Sequence, residues 1–195
     1  MKPFQITIEH LYKSFGSLSV LEDVSLTLES GRAYCLMGAS GSGKTTLLRI
    51  LLGLEKADSG RIRIQPEQPL RAVFQEDRLC EAFTPLDNVM LAVDRSLSRR
   101  QVYDELCRLL PEEAILRPAS TLSGGMKRRV AIARALLAPS GGILMDEPFT
   151  GLDEDTKRLV MAYVKEKTAG KLLLAATHQE EDVAALGAEL VRLVS

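Results

Sequence analysis

Gly38-Ala39-Ser40-Gly41-Ser42-Gly43-Lys44-Thr45 fits the pattern G-x-x-x-x-G-K-[ST] at every fixed position, the spacing of a phosphate-cradling loop. Its glycines let the backbone wrap close to an anion, where a side chain would block the turn or the approach of the phosphates. The flanks suit that reading. Ala33-Tyr34-Cys35-Leu36-Met37 before the loop is a short apolar run, a buried strand, and residues 44–52 after it are rich in helix formers. Unpaired N–H groups and the positive dipole end of that helix would face the β- and γ-phosphates, with Lys44 adding charge and the Thr45 hydroxyl open to Mg²⁺. Strand, loop and helix in this order predict an α/β fold organised around a bound nucleotide.

Outward from the loop, apolar and polar residues alternate over residues 5–9 and 24–29, with Ile6 and Ile8, then Val24, Leu26 and Leu28, on one face. These are expected to be half-buried antiparallel strands. Ser14-Phe15-Gly16-Ser17 reads as a turn between them, and Phe15 is either a core aromatic or an exposed ring on which adenine could stack. After the first helix, Gly53 and Asp58-Ser59-Gly60 mark a stop and a turn, residues 61–64 alternate as an exposed-edge strand, and residues 70–74 form a strand ending at Gln75. Residues 76–120 hold three prolines and no glycine, with Val102, Leu106, Leu109 and Leu110 on one helical face, the pattern of an inserted helical lobe. A helix opens at residues 122–125, carries Val130, Ala133, Leu136 and Leu137 on one face and stops at Pro139.

The apolar run Ile143-Leu144-Met145 predicts a central parallel strand that delivers Asp146 and Glu147 at its end. A helix over residues 153–168 with Leu159, Val160, Tyr163 and Val164 inward, and a buried strand over 172–176 ending near His178, follow. A helix over 179–187 and a strand over 188–194 complete the alternation. The expected organisation is one domain spanning 1–195, with 1–75 and 140–195 as the nucleotide-binding core and 76–139 as a helical subdomain.

Bulk composition narrows the partners. In 195 residues, 25 basic against 26 acidic side chains leave no net charge to drive broad binding to nucleic acid or an anionic membrane. Cys35, Cys80 and Cys107 have neither metal nor redox spacing and read as reduced cytosolic thiols. No signal-peptide core and no run of about 18 apolar residues is present, so a chain soluble by itself is expected. The short stretch after the last strand leaves no room for an appended regulatory domain, so control is expected from a partner or from nucleotide level.

In parallel α/β sheets ligands bind beyond the carboxyl ends of the strands, where this chain places the phosphate loop, Gln75, Asp146-Glu147 and Thr177-His178. Asp146 suits a Mg²⁺ ligand, and Glu147 a base taking a proton from an attacking water. His178 reads either as a satisfied core histidine or as a group sensing the γ-phosphate; His10, with no partner in view, reads as structural.

Leu122-Ser123-Gly124-Gly125-Met126, followed by residues 127–136 (KRRVAIARAL), resembles the signature segment of ATP-binding cassette (ABC) ATPases, and the order of the surrounding motifs agrees over essentially the whole chain. The resemblance implies a P-loop NTPase core with a mainly parallel sheet, an N-terminal antiparallel β subdomain and an inserted helical subdomain. It implies Walker A at Gly38–Thr45, the Q-loop glutamine at Gln75, Walker B ending at Asp146, the base at Glu147, the D-loop at Asp153 and the switch histidine at His178. Nucleotide contacts are then expected from Phe15, Gly38, Ala39, Ser40, Gly41, Ser42, Gly43, Lys44, Thr45, Thr46, Ser123, Gly124, Gly125 and Asp153. Mg²⁺ ligation falls to Thr45, Gln75 and Asp146, and catalysis to Glu147, His178, Lys44 and Gln75. Phe15 stands where the family places its adenine-stacking aromatic, which favours the exposed reading.

Ser123, Gly124 and Gly125 at a helix start offer a hydroxyl and free N–H groups, a second anion-binding end. In the family two ATPase domains pair head to tail, so the resemblance implies a homodimer, or a pairing with a second ABC ATPase, that closes over two ATP molecules. It further implies an integral membrane permease as partner, a solute-binding protein, no nucleic acid, and a peripheral place on the cytoplasmic face of the cell membrane. Met126 replaces the usual glutamine, a substitution familiar among importer ATPases of the nitrate, sulfonate and taurine type, whose Q-loop segment residues 73–79 also resemble. Leu79, Phe83, Pro85 and Leu86 are candidates for the permease surface or for the lobe's own core. The alternative reading is a soluble ABC-type ATPase for DNA repair or assembly. A small-molecule kinase or a nucleotide-gated dimer without turnover fits the signature and Glu147 less well.

Overall fold

The computed structural model describes residues 3–193. Along the chain run β1 (Gln5–Phe15), β2 (Leu18–Glu29), β3 (Ala33–Met37), α1 (Lys44–Leu51), β4 (Ser59–Gln65) and β5 (Leu70–Val73). Next come α2 (Pro85–Met90), α3 (Arg99–Cys107), α4 (Glu112–Ile115) and α5 (Gly124–Leu137). β6 (Gly142–Asp146), α6 (Glu154–Lys167), β7 (Leu172–Ala176), α7 (Glu180–Leu186) and β8 (Glu189–Arg192) complete the order. They fall into two compact units. One comprises the residues up to Ala72, Ser140–Glu147 and the residues from Thr168 onward; the other comprises Val73–Pro139 and Pro148–Lys167.

In the first unit a five-stranded sheet has the order β5-β6-β7-β3-β8, and β3 pairs in parallel with both β7 and β8, as β6 does with β7. β6 and β7 are buried at every position, which is why their sequences are unbroken apolar runs rather than alternating ones. The α/β architecture expected from the phosphate loop is therefore present, with β6, β7 and β3 as direct neighbours. Their carboxyl ends carry Asp146, Thr177 and the loop.

A three-stranded antiparallel sheet, order β2-β1-β4, completes this unit. Both of its expected half-buried strands are antiparallel, but they run further than the alternation suggested, on to Phe15 in β1 and back to Leu18 in β2. Register shifts lie between Ile8 and Leu11 and again beyond Leu11, and His10 and Asp23 stand at φ 49° and 51°. A bulge flips the in-out alternation midway, so a single long strand reads as a short one. His10 is not partnerless as expected: its Nδ1 lies 2.6 Å from Asp23 Oδ1, both side chains being exposed.

The second unit is helical around Val102, Leu106, Ile115, Val130, Ile132, Val160 and Val164, all fully buried. Val160, Tyr163 and Val164 face inward as their spacing predicts, whereas Leu159 is 47% exposed; it falls outside the i, i+3, i+4 set anchored at Val160. Buried Asn88 on α2 accepts from the Cys80 N–H (2.8 Å) and donates to the carbonyls of Cys80, Phe83 and Thr84 (3.0, 3.3 and 3.0 Å). One side-chain amide thus organises the turn before α2. Pro85 and Leu86 are buried and pack within the lobe, so only Phe83, 45% exposed, and half-buried Leu79 stay available from that candidate surface.

A candidate nucleotide site at three strand ends

The loop between β3 and α1 turns through Gly41 and Gly43 at φ 83° and 89°, and Gly43 is the N-cap of α1. No side chain caps that helix and no acidic residue occupies its first turn, so its N-terminal field faces outward uncompensated. Lys44 Nζ donates to the carbonyls of Gly38 (2.8 Å) and Ala39 (3.0 Å), placing its charge over the loop. Ser42 Oγ is buried with no hydrogen-bond partner, a polar atom of the loop left for a ligand to satisfy. Ala39, Ser40 and Thr45 are exposed and Thr46 half-buried. A Cβ on Gly38 would lie 2.3 Å from Ser42 Oγ and 3.2 Å from the Leu193 carbonyl, so a side chain there would force Ser42 to shift.

From the end of β6, Asp146 Oδ2 accepts the Thr45 hydroxyl at 2.7 Å. A carboxylate and a hydroxyl aimed at one point are the hard oxygen donors that suit Mg²⁺, and the residues present fit that ion. Glu147, next in sequence, stands at φ 48°, a left-handed backbone that costs a non-glycine residue about 1–3 kcal/mol. Its N–H donates to the Ala176 carbonyl (2.9 Å) and its Oε2 lies 2.9 Å from His178 Nδ1. The sharp turn aims Glu147 away from Asp146 and toward His178. Nothing in the local sequence signals it.

His178 is held from behind. The Thr177 N–H donates to Leu36 O (3.2 Å), and the Thr177 Oγ1 hydroxyl donates to Asp182 Oδ2 (2.6 Å) and accepts from the Gln179 N–H (3.1 Å). Asp182 is 2% exposed; it does not stand out in the sequence, and its partnership with Thr177 depends on the turn between β7 and α7. Met37, Gly38, Ala39, His178, Glu180 and Arg192 line an open cleft of about 520 Å³ beside the loop. Phe15 ends β1, 49% exposed, with Lys13 Nζ 4.9 Å from its ring centroid. Cys35 is buried in β3, and burial pushes its thiol up to about 12, which leaves it unreactive at neutral pH.

In the second unit, Ser123 is the N-cap of α5, its Oγ accepting from the Met126 N–H at 3.3 Å. The space above Gly124 is open, and a Cβ on Gly125 would reach Leu152 at 3.5 Å, so neither glycine is demanded by internal packing. Asp153 caps α6: its carboxylate accepts from the Thr156 N–H (2.9 Å) and hydroxyl (2.7 Å), and those bonds lower its pKa. Gln75 is exposed.

Phosphate loop, strand-end carboxylate on the loop threonine (2.7 Å) and adjacent Glu–His pair (2.9 Å) thus lie together at the ends of neighbouring strands. The ABC transporter family model matches residues 21–150, and the chain belongs to that family, whose members hydrolyse ATP to power transport. It is 37% identical to the aliphatic sulfonates import ATP-binding protein SsuB of Corynebacterium glutamicum, over 96% of this chain and 79% of that protein. With the lipoprotein-releasing system ATP-binding protein LolD of Porphyromonas gingivalis it shares 38% identity over 90% of each. The Fe(3+) ions import ATP-binding protein FbpC of Rhizobium etli is 33% identical over 98% of this chain, which spans only 59% of that protein. Among solved structures, an ABC transporter in an inward-facing conformation matches with a TM-score of 0.80 at 25% identity, over 97% of this chain and 80% of that one. Among the described residues no helix is long and apolar enough to cross a membrane.

Proposed function

We propose that this chain is the ATP-binding and hydrolysing subunit of a small-molecule importer, working as a head-to-tail pair of ATPase domains beneath an integral membrane permease. The observation that carries the reading is the meeting of two pairs, Thr45–Asp146 at 2.7 Å and Glu147–His178 at 2.9 Å, at the ends of neighbouring strands beside a phosphate loop. Loop N–H groups and Lys44 hold the β- and γ-phosphates. Thr45 and Asp146 would hold Mg²⁺, which when bound offsets phosphate charge. Glu147 takes a proton from the water as its oxygen bonds to the γ-phosphorus in line; the bond to the β–γ bridging oxygen breaks, ADP leaves with the electron pair, and His178 keeps the Glu147 carboxylate aimed. Gln75 reports nucleotide state in this reading, and the Ser123–Gly125 end serves the nucleotide of a second copy, both by the family resemblance. The sulfonate relative and the Q-loop segment favour import of a small solute delivered by a binding protein.

The test follows Mg²⁺-dependent ATP hydrolysis against protein concentration, with oligomer size alongside. A rate per chain that rises with concentration is expected, and Glu147→Gln is expected to lose about 10²–10⁴-fold in turnover while trapping an ATP-bound dimer. A concentration-independent rate in a persistent monomer, with Glu147→Gln still active, overturns the proposal.

A further inference from the structure

Helix α5 starts at the Ser123–Gly125 end and turns two of its three arginines, Arg128 and Arg134, on the segment that carries Gln75, while Arg129 donates to the Gly125 and Leu109 carbonyls. Arg128 is only 8% exposed. One of its Nη atoms donates to the Phe74 carbonyl at 2.5 Å, the other donates to the Gln75 carbonyl, and its Nε lies 3.2 Å from Asp77 Oδ1. Further along the same helix, Arg134 donates to the carbonyls of Asp77 (2.9 Å) and Arg78 (2.8 Å). Residues 74–78 belong to no helix or strand, so their carbonyls have no ladder to satisfy them. Arg78 stands at φ 48° and sets its guanidinium 3.9 Å over the Phe74 ring. The conformation of the segment is thus dictated by one helix rather than by its own backbone.

We infer that Arg128 is a positioning residue that joins the Gln75 segment to the signature end of α5 as one piece, so that the backbone of Gln75 and the Ser123–Gly125 donors keep a set separation. Its value for dimer closure rests on the function proposed above. Only a guanidinium supplies a planar fork to two carbonyls while holding its charge beside a carboxylate; the point charge of a lysine supplies no such fork. Burial also pushes the Asp77 carboxyl above its ordinary range, with Arg128, Lys127 and Arg134 pulling against that, so loss of Arg128 strands a half-buried acid as well as two carbonyls.

The experiment compares Arg128→Gln, Arg128→Lys and the double variant Asp77→Asn/Arg128→Gln, each on the Glu147→Gln background. Binding of a fluorescent ATP analogue to the monomer is expected to match the parent. ATP-driven dimerisation is expected to need about tenfold more protein, since hydrogen bonds to a charged group are lost, and lysine does not rescue it. The double variant removes the stranded acid, so it is expected to recover thermal stability but not dimerisation. Parent-like dimerisation in Arg128→Gln or in the double variant overturns the inference. Hydrogen exchange of the free protein separates it from the functional reading. Exchange rising together at residues 74–78 and 123–127 in Arg128→Gln supports the inference even if the parent never dimerises, an outcome that sinks the proposed function alone. Exchange rising in the first segment only overturns the inference.

Discussion

At Gly43 the chain stands at φ 89°, and a Cβ there would lie 2.7 Å from both Leu21 Cδ2 and the Val20 carbonyl. The phosphate loop is therefore seated on β2, and Gly43→Ala must either leave the left-handed region or push the strand away. Destabilisation of about 2–5 kcal/mol is expected from strain and overpacking together, with loss of nucleotide binding; denaturant unfolding and titration with a fluorescent ATP analogue check both. Gly41, at φ 83° with open space above it, makes the contrast, and Gly41→Ala is expected to cost only about 1 kcal/mol. The motif fixes glycine at Gly43 and leaves the position of Gly41 variable, but only the neighbouring strand shows that Gly43 answers a packing demand as well as a conformational one. Glu147 illustrates the same limit, since its identity is legible from the strand before it and its strained backbone is not.

Among elements, α3 and α6 are tied through charges whose partners lie far apart in sequence. Arg108 donates to Glu166 through both Nη atoms (2.9 and 2.6 Å) and Lys167 to Glu105 (2.6 Å). The Arg108 hydrogen bond first, then that of Lys167, draws the Glu166 carboxyl down to about 2. A lowered native pKa stabilises fully above the unfolded value of about 4.3 and loses that contribution as pH falls toward 2. Glu166→Gln is thus expected to lower the melting temperature at pH 6 and to match the wild type near pH 2; an equal gap at both pH values would show that the pair is not the cause. The apolar periodicity of α5 and α6 was readable, whereas the placement of Leu159 and these cross-helix pairs awaited packing. Likewise the β1–β2 strands were half-read, because the bulge at His10 and Asp23 breaks the alternation on which strand reading depends.

For the whole molecule, the near-balance of 25 basic and 26 acidic residues leaves recognition to particular surfaces rather than to a broad field. Phe83, held out by the Asn88 turn, is the exposed member of the surface proposed for the permease. In a reconstituted transporter, Phe83→Asp is expected to abolish solute uptake while ATP hydrolysis by the isolated subunit stays within about twofold, a surface substitution costing little stability; loss of both activities together would assign Phe83 to folding instead. The sequence by itself determined the class of protein, the order of motifs and the identity of the candidate site residues. A phosphate loop, a strand end and a helix start each need specific residues within a few positions of one another, and local spacing records that. Tertiary structure alone decided which of these residues meet. Thr45 and Asp146 touch across 101 positions and Arg128 and Gln75 across 53, contacts set by strand order, left-handed backbone and buried hydrogen bonding, for which neighbouring residues carry no signature.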